Sequence, residues 1–137
     1  MELNFAAINW LAVGVSIIIG QIFLTLWFTA LFGTPWAKAY GVADKKQHTK
    51  EIPSYTYGLG LLCTALLTIG IALLQSTLSI DTLGEGITLG LFIGVFFCLA
   101  TMLPGYAFLK RWDAFFLAVG SQISAIIIIT IILAMWR

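Results

Sequence analysis

The sequence predicts an all-α membrane protein with four transmembrane helices in an up-down bundle and a short interfacial helix after the first of them. Hydrophobic residues make up 61% of the 137 residues and charged residues only 9%, against about 45–50% and 25% in soluble domains. Mean hydropathy is +1.03, and the apolar residues are concentrated in four long stretches. A chain with so few polar groups cannot cover a water-exposed surface, whereas lipid solvates apolar side chains directly.

We expect the four stretches to form one domain over residues 1–137, with helices over about 6–32, 55–75, 83–108 and 113–136. Each stretch reaches the roughly 20 residues that a helix needs to cross the hydrocarbon core. Helix is required, because an open strand would leave backbone groups unpaired in lipid. The first stretch is not expected to be a cleaved signal peptide, since Glu2 rather than Lys or Arg precedes it.

Helix boundaries are also marked. Thr34-Pro35 is typical of the start of a helix and predicts a short one over residues 35–40, followed by an exposed loop over 41–53. Thr82 and Glu85 have the spacing of a capping box for the third helix.

Two further boundary predictions concern the second half of the chain. Pro104 is expected to kink or end the third helix. Asp113 is expected to cap the fourth helix, whose positive N-terminal end it favours.

Charged residues in the loops predict the orientation. Basic residues follow the first helix (Lys38, Lys45, Lys46 and Lys50) and the third helix (Lys110 and Arg111). The loop between the second and third helices carries only acidic charged residues, Asp81 and Glu85. The positive-inside rule therefore puts the first and third loops in the cytoplasm and both termini outside.

Gly86, Gly90 and Gly94 recur every four residues in the third helix and predict a smooth helix-packing groove. Lipid provides no hydrophobic drive for helix pairing, so small residues that permit close approach mark contact faces. We interpret the groove as tight packing, within the chain or between chains of a homo-oligomer. The alternative is a narrow pore or a site beside the groove.

A polar layer is predicted at mid-membrane. Gln21 and Gln122 each lie about ten residues from the cytoplasmic end of their helices, which places both about 15 Å deep. Thr64 and Cys98 fall at the same level. We predict that these four residues form one polar layer, and that Thr25 continues the Gln21 face toward the cytoplasm. The layer either forms only interhelical hydrogen bonds or binds a ligand, in which case Trp27 provides an aromatic wall.

The fourth helix is expected to present its β-branched half, residues 126–133, to lipid. No Asp, Glu, Lys, Arg or His lies near a helix centre, which argues against proton-coupled transport. His48 is interpreted as a solvated loop residue, and no nucleophile is paired with a base. We therefore expect no enzymatic activity, no catalytic residues, no cofactor and no metal site. The net charge of +1 argues against a nucleic-acid partner.

The end of the first helix carries a family resemblance. Leu26-Trp27-Phe28-Thr29-Ala30-Leu31-Phe32-Gly33-Thr34-Pro35-Trp36 resembles the pattern Leu-Trp-Tyr-Ser-Pro-x-Leu-Phe-Gly-x-x-Trp of small bacterial four-helix membrane proteins, the family called domain of unknown function 1761. Ile8-Asn9-Trp10 resembles the usual opening of that family. Phe28-Thr29 departs from its Tyr-Ser pair, so a phenol hydroxyl is missing. The resemblance implies the four-helix topology and a bacterial inner membrane, and it implies no activity.

Two functional hypotheses follow. The first is a non-enzymatic membrane protein that assembles as a homo-oligomer and binds or passes a small solute of unknown identity. The second is a structural or accessory membrane protein whose partner recognises the loop with Lys45 and Lys46. A molecule bound beside Gln21 and Gln122 favours the first, whereas a dry interior with the two amides paired to each other favours the second.

Overall fold

The computed structural model describes residues 4–136, and regular structure within that range is helical throughout. Four helices are long and apolar enough to cross a membrane. We call them spans 1 to 4, with bounds Trp10–Leu31, Tyr55–Leu78, Leu83–Phe108 and Trp112–Met135. The prediction of an all-α membrane protein with four spanning helices is confirmed. A single turn of 3-10 helix, Phe5–Ala7, precedes span 1.

Two short helices lie between spans 1 and 2. The first short helix, Gly33–Ala39, begins two residues before the predicted Pro35, and Phe32 rather than Thr34 precedes its first turn, so the predicted N-cap is wrong. The second short helix, Lys45–Glu51, occupies part of the predicted loop. Its cap is Asp44, whose carboxylate accepts a hydrogen bond from the Lys46 backbone N–H at 3.0 Å.

The boundary of span 3 at Thr82 agrees with the predicted capping box. The Glu85 N–H donates to the Thr82 hydroxyl, and the Thr82 N–H donates to the Glu85 carboxylate. Pro104 does not end this span, which continues to Phe108. Asp113 lies in the first turn of span 4 rather than at its cap, because the helix begins at Trp112.

Two spans contain π-helical segments. In span 1 the segment is Trp27–Leu31, and in span 3 it is Ile93–Leu99. Such segments rotate the side chains that follow them relative to an ideal α-helix and are frequent at functional sites. The segment in span 1 lies at one end of the candidate site described below.

Span 4 lies at the centre of the bundle. It packs against spans 1, 2 and 3, span 1 also packs against span 2, and span 3 packs mainly on span 4. The expectation that residues 126–133 face lipid is wrong, since Ile126, Ile129 and Leu133 are buried. An apolar β-branched face suits a neighbouring helix as well as it suits lipid, so composition could not distinguish the two.

The glycine groove of span 3 lies against span 4 in the same chain. A Cβ atom at Gly90 would lie 2.6 Å from the Thr130 hydroxyl oxygen and 2.9 Å from the Ile127 Cα, and one at Gly86 would lie 3.0 Å from the Thr130 carbonyl oxygen. At Gly94 a Cβ would lie 3.1 Å from the Ile123 side chain. Only glycine allows the two backbones to approach this closely.

Candidate functional site

A cavity of about 340 Å³ lies between spans 1 and 2, within the range of roughly 300–1,000 Å³ that is typical of ligand sites. Span 4 contributes Gln122 to its wall, the two short helices contribute Trp36, His48 and Thr49, and Ile52 directly after the second short helix completes this part of the lining. The lining mixes amide, hydroxyl and imidazole groups with apolar side chains. We call it the inter-span cavity.

Two amides lie at one end of the inter-span cavity, beside Thr64. We call this the inner end, because it lies within the bundle, away from the short helices. The Thr64 hydroxyl on span 2 lies 3.1 Å from Oε1 of Gln21 on span 1 and 3.0 Å from the Gly60 carbonyl oxygen, so one hydroxyl hydrogen serves two acceptors. The Gln21 amide lies directly over Gly60, where a Cβ atom would be 3.8 Å from Nε2. Among residues 4–136, no hydrogen bond satisfies the Nε2 hydrogens of Gln21.

Gln122 approaches the same space from span 4. It is half-buried, and within the described range its side chain makes no hydrogen bond. Each primary amide offers two N–H donors and one carbonyl acceptor. Among the residues that the structure describes, the N–H donors of both Gln21 and Gln122 at the inner end of the cavity are therefore unused.

Two threonines continue the Gln21 face of span 1 along the cavity. The Thr25 hydroxyl donates to the backbone carbonyl oxygen of Gln21 at 2.8 Å, and the Thr29 hydroxyl donates to the backbone carbonyl oxygen of Thr25 at 2.6 Å. Their hydrogens are used within the helix, so each hydroxyl oxygen can only accept a further hydrogen bond.

A series of aromatic rings lies at the opposite end of the cavity, beside the two short helices, which we call the outer end. The Phe28 and Trp36 ring centroids are 4.5 Å apart, Trp36 and Tyr40 are 4.6 Å apart, and Tyr40 and His48 are 5.4 Å apart. These contacts join span 1 to both short helices. His48 is half-buried and lines the cavity, so its interpretation as a solvated loop residue is wrong.

The sequence contains a signal that could have predicted the position of His48. Asp44 is a typical helix-capping residue, and His48 and Ile52 follow it four residues apart, a spacing that favours one face of a short helix. Both line the inter-span cavity.

Tyr40 connects this end to the turn between spans 3 and 4. The Arg111 guanidinium lies 5.5 Å from the Tyr40 ring centroid, in cation–π geometry. Burial raises the pKa of Tyr40, with a further increase from Tyr106, while Arg111 acts in the opposite direction. Tyr40 is therefore a neutral phenol at physiological pH and packs as an aromatic residue.

Two of the six predicted ligand-binding residues lie outside the inter-span cavity. The Trp27 indole N–H donates to the Leu117 carbonyl oxygen at 3.1 Å, and its ring covers Gly120 of span 4. Cys98 lies on span 3, where its sulfur is 3.4 Å from that of Met102. Gln21, Thr25, Thr64 and Gln122 do line the cavity. The predicted depth placed Gln21, Thr64, Cys98 and Gln122 at one level, but depth alone does not determine toward which neighbouring span each side chain points.

A third amide within the bundle was not predicted from the sequence. Gln75 is only 3% exposed, and its Nε2 donates to the Thr130 carbonyl oxygen at 2.8 Å. The bond joins span 2 to span 4, so Gln75 has a structural role. Within residues 4–136 there is no group of three or more His, Cys, Asp or Glu side chains placed to hold a metal ion.

The fold and cavity define a class, the small multi-pass α-helical membrane proteins. Within that class, the chain belongs to the family described as "Protein of unknown function (DUF1761)", whose model matches residues 11–134. The resemblance predicted from the end of span 1 is thereby confirmed. Neither the curated proteins nor the solved structures contain a match to this chain.

Proposed function

We propose that this protein binds a small amphipathic solute in the inter-span cavity. The observation that carries the proposal is the pair of amides, Gln21 and Gln122, that face one largely apolar cavity with N–H donors unused among the described residues. A donor without a partner inside a membrane protein costs several kcal/mol in the least favourable case. A solute with an oxygen at its inner end would satisfy these donors.

The geometry favours binding over mere packing. Gln21 is joined to Thr64 and not to Gln122, so the two amides do not satisfy each other, and open space lies beside them. Apolar walls from Leu24, Phe28 and Leu67 suit a hydrocarbon body. The proposal concerns binding without catalysis.

A neutral probe tests the proposal. The α,ω-decanediol combines an apolar chain with a hydroxyl group, and its binding is measured by isothermal titration calorimetry with the protein in phosphatidylcholine nanodiscs. Empty nanodiscs provide the correction for partitioning into lipid. We expect saturable binding at one site per chain.

A matched pair of variants localises the binding. Gly60→Leu places a side chain inside the cavity, whereas a Cβ at Gly58 on the same helix meets nothing within 4 Å. We expect Gly60→Leu to abolish saturable binding and Gly58→Leu to retain it. If Gly60→Leu does not fold, Gln122→Leu serves in its place. Equal binding by the cavity variant and its control would contradict the proposal and favour the accessory protein that acts through Lys45 and Lys46.

We further propose a bacterial inner-membrane location with the termini outside. Two contacts support the pairing of ends. The Arg111–Tyr40 contact brings the two basic segments together at one end of the bundle. Asn9 Nδ2 donates to the Trp136 carbonyl oxygen at 3.4 Å, so the start of span 1 lies beside the end of span 4. Alkaline phosphatase fused to either terminus is expected to be active, and a fluorescent reporter requiring the cytoplasm is expected to be dark.

The homo-oligomer stays a prediction, and the glycine groove no longer supports it, because span 4 of the same chain fills that groove. Native mass spectrometry in mild detergent reports the stoichiometry directly. A monomer would leave the binding proposal intact, since every residue invoked for it belongs to one chain.

A further inference from the structure

A second cavity of about 450 Å³ adjoins the outer end of the inter-span cavity. The two share Phe28, Thr29, His48 and Thr49 in their linings, so they are neighbouring parts of one space. We call the second one the lysine recess, because Lys45, Lys46 and Lys50 of the second short helix line it.

The lysines of the recess are available to a ligand. All three are exposed, and within residues 4–136 no carboxylate lies within ion-pair distance of any of them. The acidic residues at the two ends of this helix make other contacts: Asp44 caps it, and Glu51, its last residue, accepts a hydrogen bond from Gln47 at 2.9 Å.

Close packing brings Lys45 to the recess. Its Cδ lies 3.3 Å from the position a Cβ would take at Gly33, so its hydrocarbon stem crosses the glycine of the first short helix. Burial of the stem with an exposed ammonium group is the usual arrangement of lysine at an apolar boundary. The positive charge therefore lies where the apolar cavity meets its surroundings.

Spacing along span 1 relates the two ends. Gln21 at the inner end and Thr29 at the recess are eight residues apart, which corresponds to about 12 Å along a helix. Between them the wall is largely apolar, with Leu24 and Phe28. A ligand that contacts both ends must be elongated.

We infer that the solute is an elongated amphiphile with an anionic group, a carboxylate or phosphate, at the lysine recess and a hydroxyl or carbonyl oxygen at Gln21 and Gln122. The inference rests on the proposed function and adds the chemical class of its ligand. Charge complementarity assigns the anionic end, because three ammonium groups without an ion-pair partner among residues 4–136 line that end, whereas amides and hydroxyls at the other end are neutral.

Two probes that differ at one end test the inference. The ω-hydroxydecanoate ion and α,ω-decanediol share the chain and one hydroxyl group, and only the first has a carboxylate. With the protein in phosphatidylcholine nanodiscs at neutral pH, we expect calorimetry to show at least about tenfold tighter binding of the hydroxy acid. Acetate alone is not expected to compete at the same concentrations.

Matched charge variants assign the preference to the recess. We expect Lys45→Gln with Lys46→Gln to remove most of the tenfold preference for the acid over the diol, with both affinities measured on the same variant. Lys38→Gln with Lys110→Gln removes the same charge from residues outside both cavities and is expected to keep the preference.

The outcomes separate the two proposals. Equal affinities for the acid and the diol, both lost in Gly60→Leu, would overturn the anionic end while leaving the proposed function standing. Acetate that competes as well as the hydroxy acid would overturn the elongated ligand. Absence of cavity-dependent binding by either probe would overturn the proposed function itself.

Discussion

The Thr64 hydroxyl lies 3.1 Å from Oε1 of Gln21, and this contact joins span 2 to span 1 at the inner end of the inter-span cavity. By holding the carbonyl oxygen of the amide, it directs the Gln21 Nε2 toward Gly60 and the open space. The contact therefore both stabilises the helix pair and orients a donor toward the proposed ligand.

Replacement of that hydroxyl should affect both roles. We expect Thr64→Val, which keeps the side-chain shape, to lower stability by roughly 0.6–2 kcal/mol and to weaken decanediol binding several-fold. Thermal unfolding in detergent and calorimetry in nanodiscs measure the two effects. Thr77→Val on the same helix is the control, because the Thr77 hydroxyl is exposed and bonds only to the Leu73 carbonyl oxygen. Unchanged binding in Thr64→Val would show that Gln21 does not need this partner.

The groove between spans 3 and 4 should not tolerate a side chain. We expect Gly90→Leu to disrupt the bundle, and Gly90→Ala to cost about 1–3 kcal/mol, because the added Cβ overlaps Thr130 and the backbone of Ile127. Gly84→Ala in the same span is the control, since a Cβ there meets nothing within 4 Å. Wild-type size and melting temperature in Gly90→Leu, measured by size exclusion and thermal unfolding, would disprove the contact.

Two buried serines should respond differently to loss of the hydroxyl group. Ser16 and Ser121 are both fully buried, yet among the described residues the Ser16 hydroxyl has no partner while that of Ser121 donates to the Ala118 carbonyl oxygen at 2.7 Å. Removal of an unsatisfied buried group is neutral or stabilising, whereas loss of a bond costs about 0.5–1.5 kcal/mol. We therefore expect Ser16→Ala to keep or raise the melting temperature and Ser121→Ala to lower it. A larger loss in Ser16→Ala would indicate an essential partner for its hydroxyl.

Trp27 should affect stability without affecting binding. We expect Trp27→Phe to cost at least about 1 kcal/mol, because the Leu117 carbonyl oxygen loses the indole N–H, and the outer indole atoms Cζ2 and Cη2 no longer pack on Gly120. Decanediol affinity should be unchanged, since Trp27 lies outside the inter-span cavity. A strong loss of affinity at wild-type stability would restore Trp27 to the site.

The membrane fold follows from the sequence through simple physical limits. Four apolar stretches of sufficient length require helices in lipid, and local signals such as Thr82 with Glu85 mark where one of them begins. That Gln21 and Gln122 line one cavity agrees with their predicted common level, because rise per residue is constant along a helix. Local hydrogen bonding and hydrophobicity depend on neighbours in sequence, and for this reason they are legible in it.

Which faces meet was decided by the tertiary structure. Cys98 shares a predicted level with Gln122, but it lies on span 3, whereas the cavity lies between spans 1 and 2. His48 lines that cavity only because the second short helix packs over it. Span 4 became the centre although its residues 126–133 look suited to lipid. Lipid tails and neighbouring helices are equally apolar, so hydrophobicity does not select between them, and close packing, seen at Gly90 against Thr130, makes the choice.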